Sequence, residues 1–290
     1  MDIEKEKKAI ARLQAFAPDP SDPYYVCYSG GKDSDCLRIL CDLANVPHEL
    51  HHNHTTVDAP ETVYYIKSIP GVHVHYPNTT MWRLIVKNKI PPFRTRRYCC
   101  DVLKEGGGRG RLKVTGVRAA ESVMRSQNAG VVKIIGKPKH VQKIADGTDY
   151  DITPKGGVVY HFDNSDSIRV VQNCQKIAST MINPIVDWSD QDVWDFLHHY
   201  GCSSNPLYSC GFSRVGCVGC PMQTSKGMRR DFRRWPKFRH NYVRAFDRML
   251  EARKKAGRDC YDWFTGEDVM KWWIGDDPAQ LSFFEGDDYY

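Results

Sequence analysis

The segment Ser29-Gly30-Gly31-Lys32-Asp33-Ser34 combines glycines, hydroxyls and charged groups in a pattern typical of an anion-binding loop. Apolar runs at 24–28 and 37–43 flank it, so the spacing predicts a buried strand, a glycine turn and a helix. The two glycines leave room for a close backbone approach, and the first amides of the helix carry a partial positive charge. Together with the lysine and the two serines, these groups suit the binding of phosphate.

The loop differs from a Walker A motif, because the pattern G-x-x-x-x-G-K-S/T is absent. Asp33 falls in the first turn of the predicted helix, where it is either an N-terminal cap or a ligand of a Mg²⁺ ion that accompanies bound phosphates. An ordinary strand–turn–helix connection with a chance glycine pair is the alternative interpretation of the whole segment.

Four of the eleven cysteines form two pairs, Cys99-Cys100 and Cys217-Val218-Gly219-Cys220. Four thiolates are the usual ligands of a [4Fe–4S] cluster, and they also bind zinc. Adjacent cysteines place both sulfurs on one tetrahedral ion with difficulty, whereas a larger cubane accepts neighbouring ligands on different irons. The pairs therefore favour an iron–sulfur cluster, with zinc and unliganded buried thiols as the alternatives.

Strand and helix patterns alternate over the first half of the chain. The predicted strands are 24–28, 48–54, 72–76 and 111–117, and the predicted helices include 4–16, 61–68, 81–88 and 190–200. This alternation predicts an α/β fold of the Rossmann-like type, with a parallel sheet flanked by helices. Ligands of such folds lie at the carboxyl ends of the strands, where the glycine loop falls.

Four further residues, in two segments, are candidates for the same site. Asp58 follows the second strand, where it either meets the ribose or base of a nucleotide or caps a turn before Pro60. Arg118 and Arg125 could clamp a phosphate or sulfate in a bidentate manner, with Glu121 orienting them. A salt-bridged start of a helix is the alternative for these three.

The remainder of the chain departs from this alternation. Residues 128–168 predict an insertion of hairpins or a mobile lid within a domain of residues 1–222, and residues 223–290 predict a helical C-terminal extension. Thirteen lysines and arginines stand against three acids in 226–258, whereas nine acids stand against one lysine in 259–290. Such a basic patch suggests a nucleic-acid partner, or neutralisation by the neighbouring acidic segment.

Composition limits the environment of the chain. No apolar stretch is long enough to span a membrane, and the charged N-terminal residues lack the pattern of a signal peptide. We therefore expect a cytoplasmic protein whose cysteines are metal ligands or free thiols rather than disulfides. The sequence leaves the oligomeric state open, a homo-oligomer included.

The glycine loop, the adjacent cysteines and the later Cys-x-x-Cys-Pro together resemble the phosphoadenosine phosphosulfate (PAPS) reductase family, in its iron–sulfur branch. This family lies in the adenine nucleotide α-hydrolase, or PP-loop, superfamily with its HUP-type fold. Two further segments are similar to the family's motifs: 115–125, which contains Gly116 and Arg118, and 183–194 with its Asn-Pro-Ile-Val-Asp-Trp. The resemblance covers about residues 20–250 and implies that Ser29–Ser34 and Gly116 bind ATP or an adenylyl sulfate.

One departure from the family bears on the reaction. The family's reductases carry a C-terminal Glu-Cys-Gly-Ile/Leu-His motif, which this chain lacks, and carboxylates flank its one late cysteine, Cys260. The resemblance thus favours an ATP pyrophosphatase that adenylates an acceptor for sulfur transfer. The alternatives are a PAPS or adenylyl sulfate reductase that takes electrons from a donor protein, and a non-catalytic nucleotide- or nucleic-acid-binding module.

Overall fold

Eight strands form one mixed sheet in the computed structural model, which describes residues 2–174 and 178–275 of the chain. In chain order they are β1 (Tyr24–Cys27), β2 (His48–Asn53), β3 (Val72–His75), β4 (Lys113–Val114), β5 (Val132–Ile135), β6 (Asp151–Ile152), β7 (Val158–Tyr160) and β8 (Ser179–Ile182). Their order across the sheet is β3-β2-β1-β4-β8-β5-β7-β6. β1 runs parallel to β2 and β4, and β4 runs parallel to β8.

The helices follow the predicted pattern closely in the first half of the chain. They are α1 (Ile3–Ala15), α2 (Lys32–Leu43), α3 (Pro60–Ser68), α4 (Met81–Asn88), α5 (Tyr98–Leu103), α6 (Val123–Asn128), α7 (Pro138–Ala145), α8 (Ser165–Cys174), α9 (Asp190–His199), α10 (Ser225–Arg234), α11 (Pro236–Lys255) and α12 (Gly266–Trp273). A short 3₁₀ turn at Ala119–Glu121 precedes α6. The α/β fold class is therefore confirmed.

The described chain forms two compact units that alternate along the sequence. The first comprises residues up to 52, 61–74 and 107–215, and the second comprises 53–60, 75–106 and residues from 216 onward. The glycine loop belongs to the first unit, and both cysteine pairs belong to the second. The end of the predicted C-terminal extension and of its acidic segment, residues 276–290, lies outside the described residues.

The sheet is mixed rather than parallel throughout, because the segment predicted as an insertion contributes to it. β5 pairs antiparallel with both β8 and β7, and β6 pairs antiparallel with β7. Alternation of strands and helices predicts parallel neighbours, whereas short hairpin strands can join a sheet edge in either direction. The insertion thus belongs to the sheet itself.

Two helices, α10 and α11, form the basic part of the predicted helical C-terminal extension. α10 ends at Arg234, and Pro236 occupies the first turn of α11 after Trp235. Proline lacks the amide that a helix interior requires, but its fixed φ suits the first helical turn.

Among the described residues, every helix is too short or too polar to cross a membrane.

Apolar side chains on one face of α1, α2 and α9 pack against the sheet in the first unit. Leu13, Leu37 and Phe196 are fully buried members of this core. α9 begins as predicted, because Ser189 and Asp192 cap each other's backbone amides. The core therefore fixes α2 and α9, whose first turns carry site residues.

Arg12 connects α1 to the segment before α9. Its buried guanidinium donates two hydrogen bonds to Asp187 at 2.8 and 2.9 Å and a third to the carbonyl of Pro184 at 2.7 Å. Burial alone would raise the pKa of Asp187, but the hydrogen bonds and charges of Arg12 and Lys8 outweigh it and lower that pKa.

We expect Asp187→Asn to lower the free energy of unfolding by about 2 kcal/mol at neutral pH, because hydrogen bonds to charged groups are worth this much. Since the folded pKa is lowered, this stabilisation is present above about pH 4, the range of a free aspartate, and is lost as the pH falls further. Urea titrations across this pH range should show the two proteins converging in acid. The exposed Asp149→Asn is the control, and an unchanged gap in acid would contradict the prediction.

Candidate functional site

The glycine loop of the first unit turns sharply between β1 and α2. Gly30 has a φ of +70°, and a Cβ there would lie 2.8 Å from Cγ1 of Ile66. Gly31 precedes the first turn of α2, where the Ser34 hydroxyl donates to its carbonyl at 2.7 Å and accepts from its amide at 3.2 Å. Only glycine fits the first of these positions without strain. The loop is therefore a tight turn that leads directly into α2.

Arg118 brings two carboxylates together at the start of α2. Its Nε donates to Asp33 Oδ1 at 2.7 Å, and a terminal nitrogen donates to Asp190 Oδ1 at 2.5 Å. Lys32 Nζ donates to the same oxygen of Asp190 at 3.0 Å. Arg118 is 2% exposed and Lys32 is 5% exposed. Two nearly buried cations thus share one carboxylate at the N-terminal end of a helix.

Asp190 is the acid of this group that the sequence patterns did not single out. Burial alone would raise its pKa, but the hydrogen bonds from Lys32 and Arg118 outweigh it and lower that pKa. Its side chain is nonetheless 72% exposed, so the carboxylate that the two nearly buried cations share faces solvent. An incoming anion could take the place of this carboxylate.

Three residues that are distant in sequence, Gly116, Asn205 and Tyr208, lie against the glycine loop and the first turn of α2. A Cβ on Gly116 would lie 3.0 Å from Cβ of Asp33. The Asn205 amide donates to the carbonyl of Gly30 at 3.0 Å, and the Tyr208 hydroxyl accepts from the Lys32 amide at 2.8 Å. Of these three, the motifs predicted Gly116 alone. Asn205 and Tyr208 lie in an irregular segment whose sequence carries no signal for this role.

Glu121 and Arg125 form an ion pair with each other across one turn. Glu121 also accepts from the backbone amide of Arg118 at 3.4 Å. Glu121 therefore contacts the Arg118 backbone, and its ion pair with Arg125 matches the salt-bridged alternative considered from the sequence.

A buried acid lies directly after the loop in α2. Asp35 accepts hydrogen bonds from the hydroxyls of Tyr28 at 2.6 Å and Tyr65 at 3.0 Å. Burial raises the pKa of Asp35 to about 6, although the two hydrogen bonds oppose this. The group ties the first turns of α2 to β1 and α3 from inside the unit.

In the second unit, Asp58 is held by its own turn. Its carboxylate accepts from the backbone amide of Thr55 at 2.7 Å and from the Thr55 hydroxyl at 2.8 Å. It also forms an isolated antiparallel bridge with Cys217. These two contacts match the turn-capping alternative considered from the sequence.

Within the second unit, the thiols of the two cysteine pairs influence each other's pKa values. The hydrogen bond to Cys100 raises the pKa of Cys99, and burial and the charges of Cys217 and Cys220 raise it further. The same hydrogen bond lowers the pKa of Cys100. Burial raises the pKa of Cys217 to about 12, and its thiol donates to the Thr55 hydroxyl at 3.4 Å. The electrostatic influence thus acts between the two pairs, both of which belong to the second unit.

A buried acid braces the Cys-x-x-Cys turn. One oxygen of Asp231 accepts from the Gly219 amide at 3.1 Å and from the Gln223 side chain at 2.7 Å. Gly219 has a φ of +69°, and a Cβ there would lie 2.5 Å from Cζ of Phe232. The turn between the two cysteines thus depends on a glycine at this position.

Among the residues that the structure describes, no group of three or more His, Cys, Asp or Glu side chains is arranged to hold a metal ion. In the zinc alternative, a single tetrahedral ion with Zn–S bonds of about 2.3 Å would hold the four cysteine sulfurs about 3.8 Å apart. Iron–sulfur ligation by the four cysteines stays a prediction.

Comparison with known families gives one match that spans most of the chain. The model of the phosphoadenosine phosphosulfate reductase domain matches residues 23–223. An uncharacterised protein of Methanocaldococcus jannaschii is 23% identical over 265 residues, which cover 89% of this chain and 55% of that protein. The adenosine 5′-phosphosulfate reductase of Allochromatium vinosum is 39% identical over 46 residues, which cover 16% of this chain and 18% of that enzyme. The chain thus spans only about half, or less, of the length of these relatives.

Solved structures give a weaker likeness. A PAPS reductase from Candida auris, in complex with phosphate, is 14% identical with a TM-score of 0.43 and covers 73% of this chain and 87% of its own. The FMN adenylyltransferase of Candida glabrata is 13% identical with the same TM-score and covers 74% and 61%. Both TM-scores are low, so the similarity to these two structures is weak.

We expect Gly219→Ala to destabilise the second unit by about 2–4 kcal/mol, because it adds left-handed backbone strain to an overlap with Phe232. Gly216→Ala is the matched control in the same loop, since a Cβ there meets nothing within 4 Å. Thermal unfolding of both variants tests the prediction. Equal melting temperatures would show that the turn tolerates a side chain.

Proposed function

We propose that this chain, which belongs to the phosphoadenosine phosphosulfate reductase domain family, is an ATP pyrophosphatase that adenylates an acceptor for sulfur transfer. The observation that carries the proposal is the nearly buried pair of cations, Lys32 and Arg118, at the start of α2. Buried cations that share an exposed carboxylate form a preorganised site for a polyanion. Gly30 and Gly31 are themselves buried, whereas Ser29 beside them is exposed.

Each part of the loop has a role in this reaction. The helix amides and Ser29 and Ser34 would bind the phosphates, and Asp33 would bind the Mg²⁺ that accompanies ATP. An oxygen of the acceptor would attack the α-phosphorus, the bond to the bridging oxygen would break, and pyrophosphate would leave. Lys32 and Arg118 would stabilise the charge that develops on the transferring and leaving groups. Gly116 lets the backbone after β4 approach Asp33 closely.

The four paired cysteines would hold a [4Fe–4S] cluster in the second unit. Support for this comes from the donor set, from the mutual influence of the thiols on their pKa values and from the braced turn around Gly219. The cluster would supply either a structural link or a site that carries sulfur. Arg94, whose guanidinium donates to the carbonyl of Gln223 at 3.3 Å, contacts the segment after the Cys-x-x-Cys turn and adds positive charge there.

Reduction of an adenylyl sulfate is the second candidate. The observation that favours it is the local identity of 39% with the A. vinosum enzyme over 46 residues. The sulfur of the substrate would then be reduced to sulfite, with electrons from thiols of a donor protein. Cys260 is a weak candidate for the attacking thiol, because carboxylates adjoin it and no histidine follows.

Product analysis separates the two reactions. Purified protein is incubated with ATP, Mg²⁺, a sulfur donor and nucleic acid as the candidate acceptor, and separately with PAPS or adenylyl sulfate plus a dithiol. Pyrophosphate and AMP from ATP support the pyrophosphatase, whereas sulfite from a sulfonucleotide supports the reductase. If nucleotides bind without either product, the non-catalytic alternative is favoured and both enzymatic proposals fail.

We expect Arg118→Gln and Lys32→Ala to weaken nucleotide binding by about 10–100-fold each, because charge-assisted hydrogen bonds contribute about 1.5–3 kcal/mol. Isothermal titration with a non-hydrolysable ATP analogue measures the effect. Arg109→Gln, at an exposed position of the same unit, is the control. Unchanged affinity in both site variants, with intact folding, would remove the nucleotide from this loop.

For the cluster, anaerobically purified protein should contain about four irons and four sulfides per chain, the content of a cubane. We expect Cys217→Ser and Cys220→Ser to lose this iron and its visible absorption, since each removes a thiolate. Cys210→Ser alters an exposed cysteine outside the two pairs and should retain both. Stoichiometric zinc in place of iron would support the zinc alternative and refute the cluster.

A further inference from the structure

We propose that the exposed face of α11 binds the phosphate backbone of a nucleic acid. This helix follows the part of the chain that matches the reductase domain, residues 23–223, so the surface belongs to this chain's own extension. The inference is independent of the reaction proposed for the glycine loop.

Four cations lie in one line along α11. Lys237, Arg244, Arg248 and Lys255 are spaced by seven, four and seven residues, and all four are exposed. At about 100° per residue, these side chains leave the helix within an arc of about 40°. We call this line the basic stripe. Glu251 is the one acid within about 40° of its centre.

The opposite face of α11 is buried, which fixes the orientation of the stripe. Tyr242, Phe246 and Met249 are essentially inaccessible to solvent, and the Tyr242 hydroxyl donates to the carbonyl of Val218 at 3.1 Å. The ring of Trp273, on α12, lies 4.7 Å from that of Tyr242. The helix therefore cannot rotate to place its cations elsewhere.

The cations of the stripe differ from the other arginines of α11 in their partners. Arg239 forms a bidentate pair with Glu267, and Arg253 donates to the carbonyls of Lys89 and Asp259. Within the described chain, no ion pair engages Lys237, Arg244 or Arg248. Contacts within the chain thus account for Arg239 and Arg253, whereas the charges of the basic stripe remain available to a partner.

The dimensions of the stripe fit a nucleic-acid backbone. From Lys237 to Lys255 the helix rises about 27 Å, at about 1.5 Å per residue. This length equals about eight base-pair steps of about 3.4 Å. A row of exposed cations without accompanying apolar groups recognises phosphates rather than base edges, so we expect little sequence preference.

The test compares two sets of charge reversals by fluorescence anisotropy with labelled single-stranded DNA, duplex DNA and RNA. The first set is Lys237→Glu, Arg244→Glu and Arg248→Glu together. The second set reverses three exposed lysines at α7, namely its N-cap Lys137 together with Lys139 and Lys143, and changes the net charge equally. Affinities are measured between about 50 and 200 mM salt.

We expect the wild-type protein to bind with a strong salt dependence, and the stripe variant to bind at least about tenfold more weakly. For duplex DNA its slope of log affinity against log salt should fall by about 2.7, because each phosphate contact contributes about 0.9. The α7 variant should retain most of the affinity. Melting curves establish that each variant folds, and glutamine substitutions at the same positions replace any that does not.

Three results would overturn the inference. They are the absence of wild-type binding to all three nucleic acids, equal weakening by both sets of reversals, and competition by polyaspartate as effective as that by nucleic acid. The last result would assign the stripe to an acidic protein segment instead.

Discussion

The neutralisation of one buried guanidinium links the parts of the candidate anion site. Arg118 is almost inaccessible to solvent, and an unpaired charge in that position would cost several kcal/mol. Asp33 and Asp190 supply the compensating charges from the first turns of α2 and α9. The glycine loop, the segment after β4 and the start of α9 therefore hold their positions jointly, because a shift of either carboxylate would remove one of the two charges that compensate Arg118.

Buried acids brace both candidate sites in the same manner. In the first unit, Asp35 accepts from the hydroxyls of Tyr28 and Tyr65 beneath the glycine loop. In the second unit, Asp231 accepts from the backbone of the Cys-x-x-Cys turn. Each carboxylate lies inside its unit, and burial raises its pKa. The groups proposed to meet ligands are thus held by polar contacts from within, and they are fixed before any ligand arrives.

The sequence predicted the strand, the glycine loop and the helix that follows because their signals are local. Apolar periodicity and glycine placement are visible within about twenty residues. Sequence patterns did not identify Asp190, Asn205 and Tyr208. These residues contact the loop from more than 150 positions away in the chain. Ordinary helix starts and turns contain the same residue types, so their side chains give no distinguishing signal. The break before Pro236 was visible in the sequence, since proline within a helical pattern ends the helix before it. Strand direction in the insertion carried no local signal.

The antiparallel pairing of β5 with β8 has a consequence for how this fold tolerates changes in length. β4 covers one side of β8 and β5 covers the other. Excision of residues 128–168 would bare the hydrogen-bonding groups along one side of β8, and such unpaired strands promote aggregation between molecules. A shorter version of this domain must therefore shield β8 by other means, with a helix, a loop or a second chain.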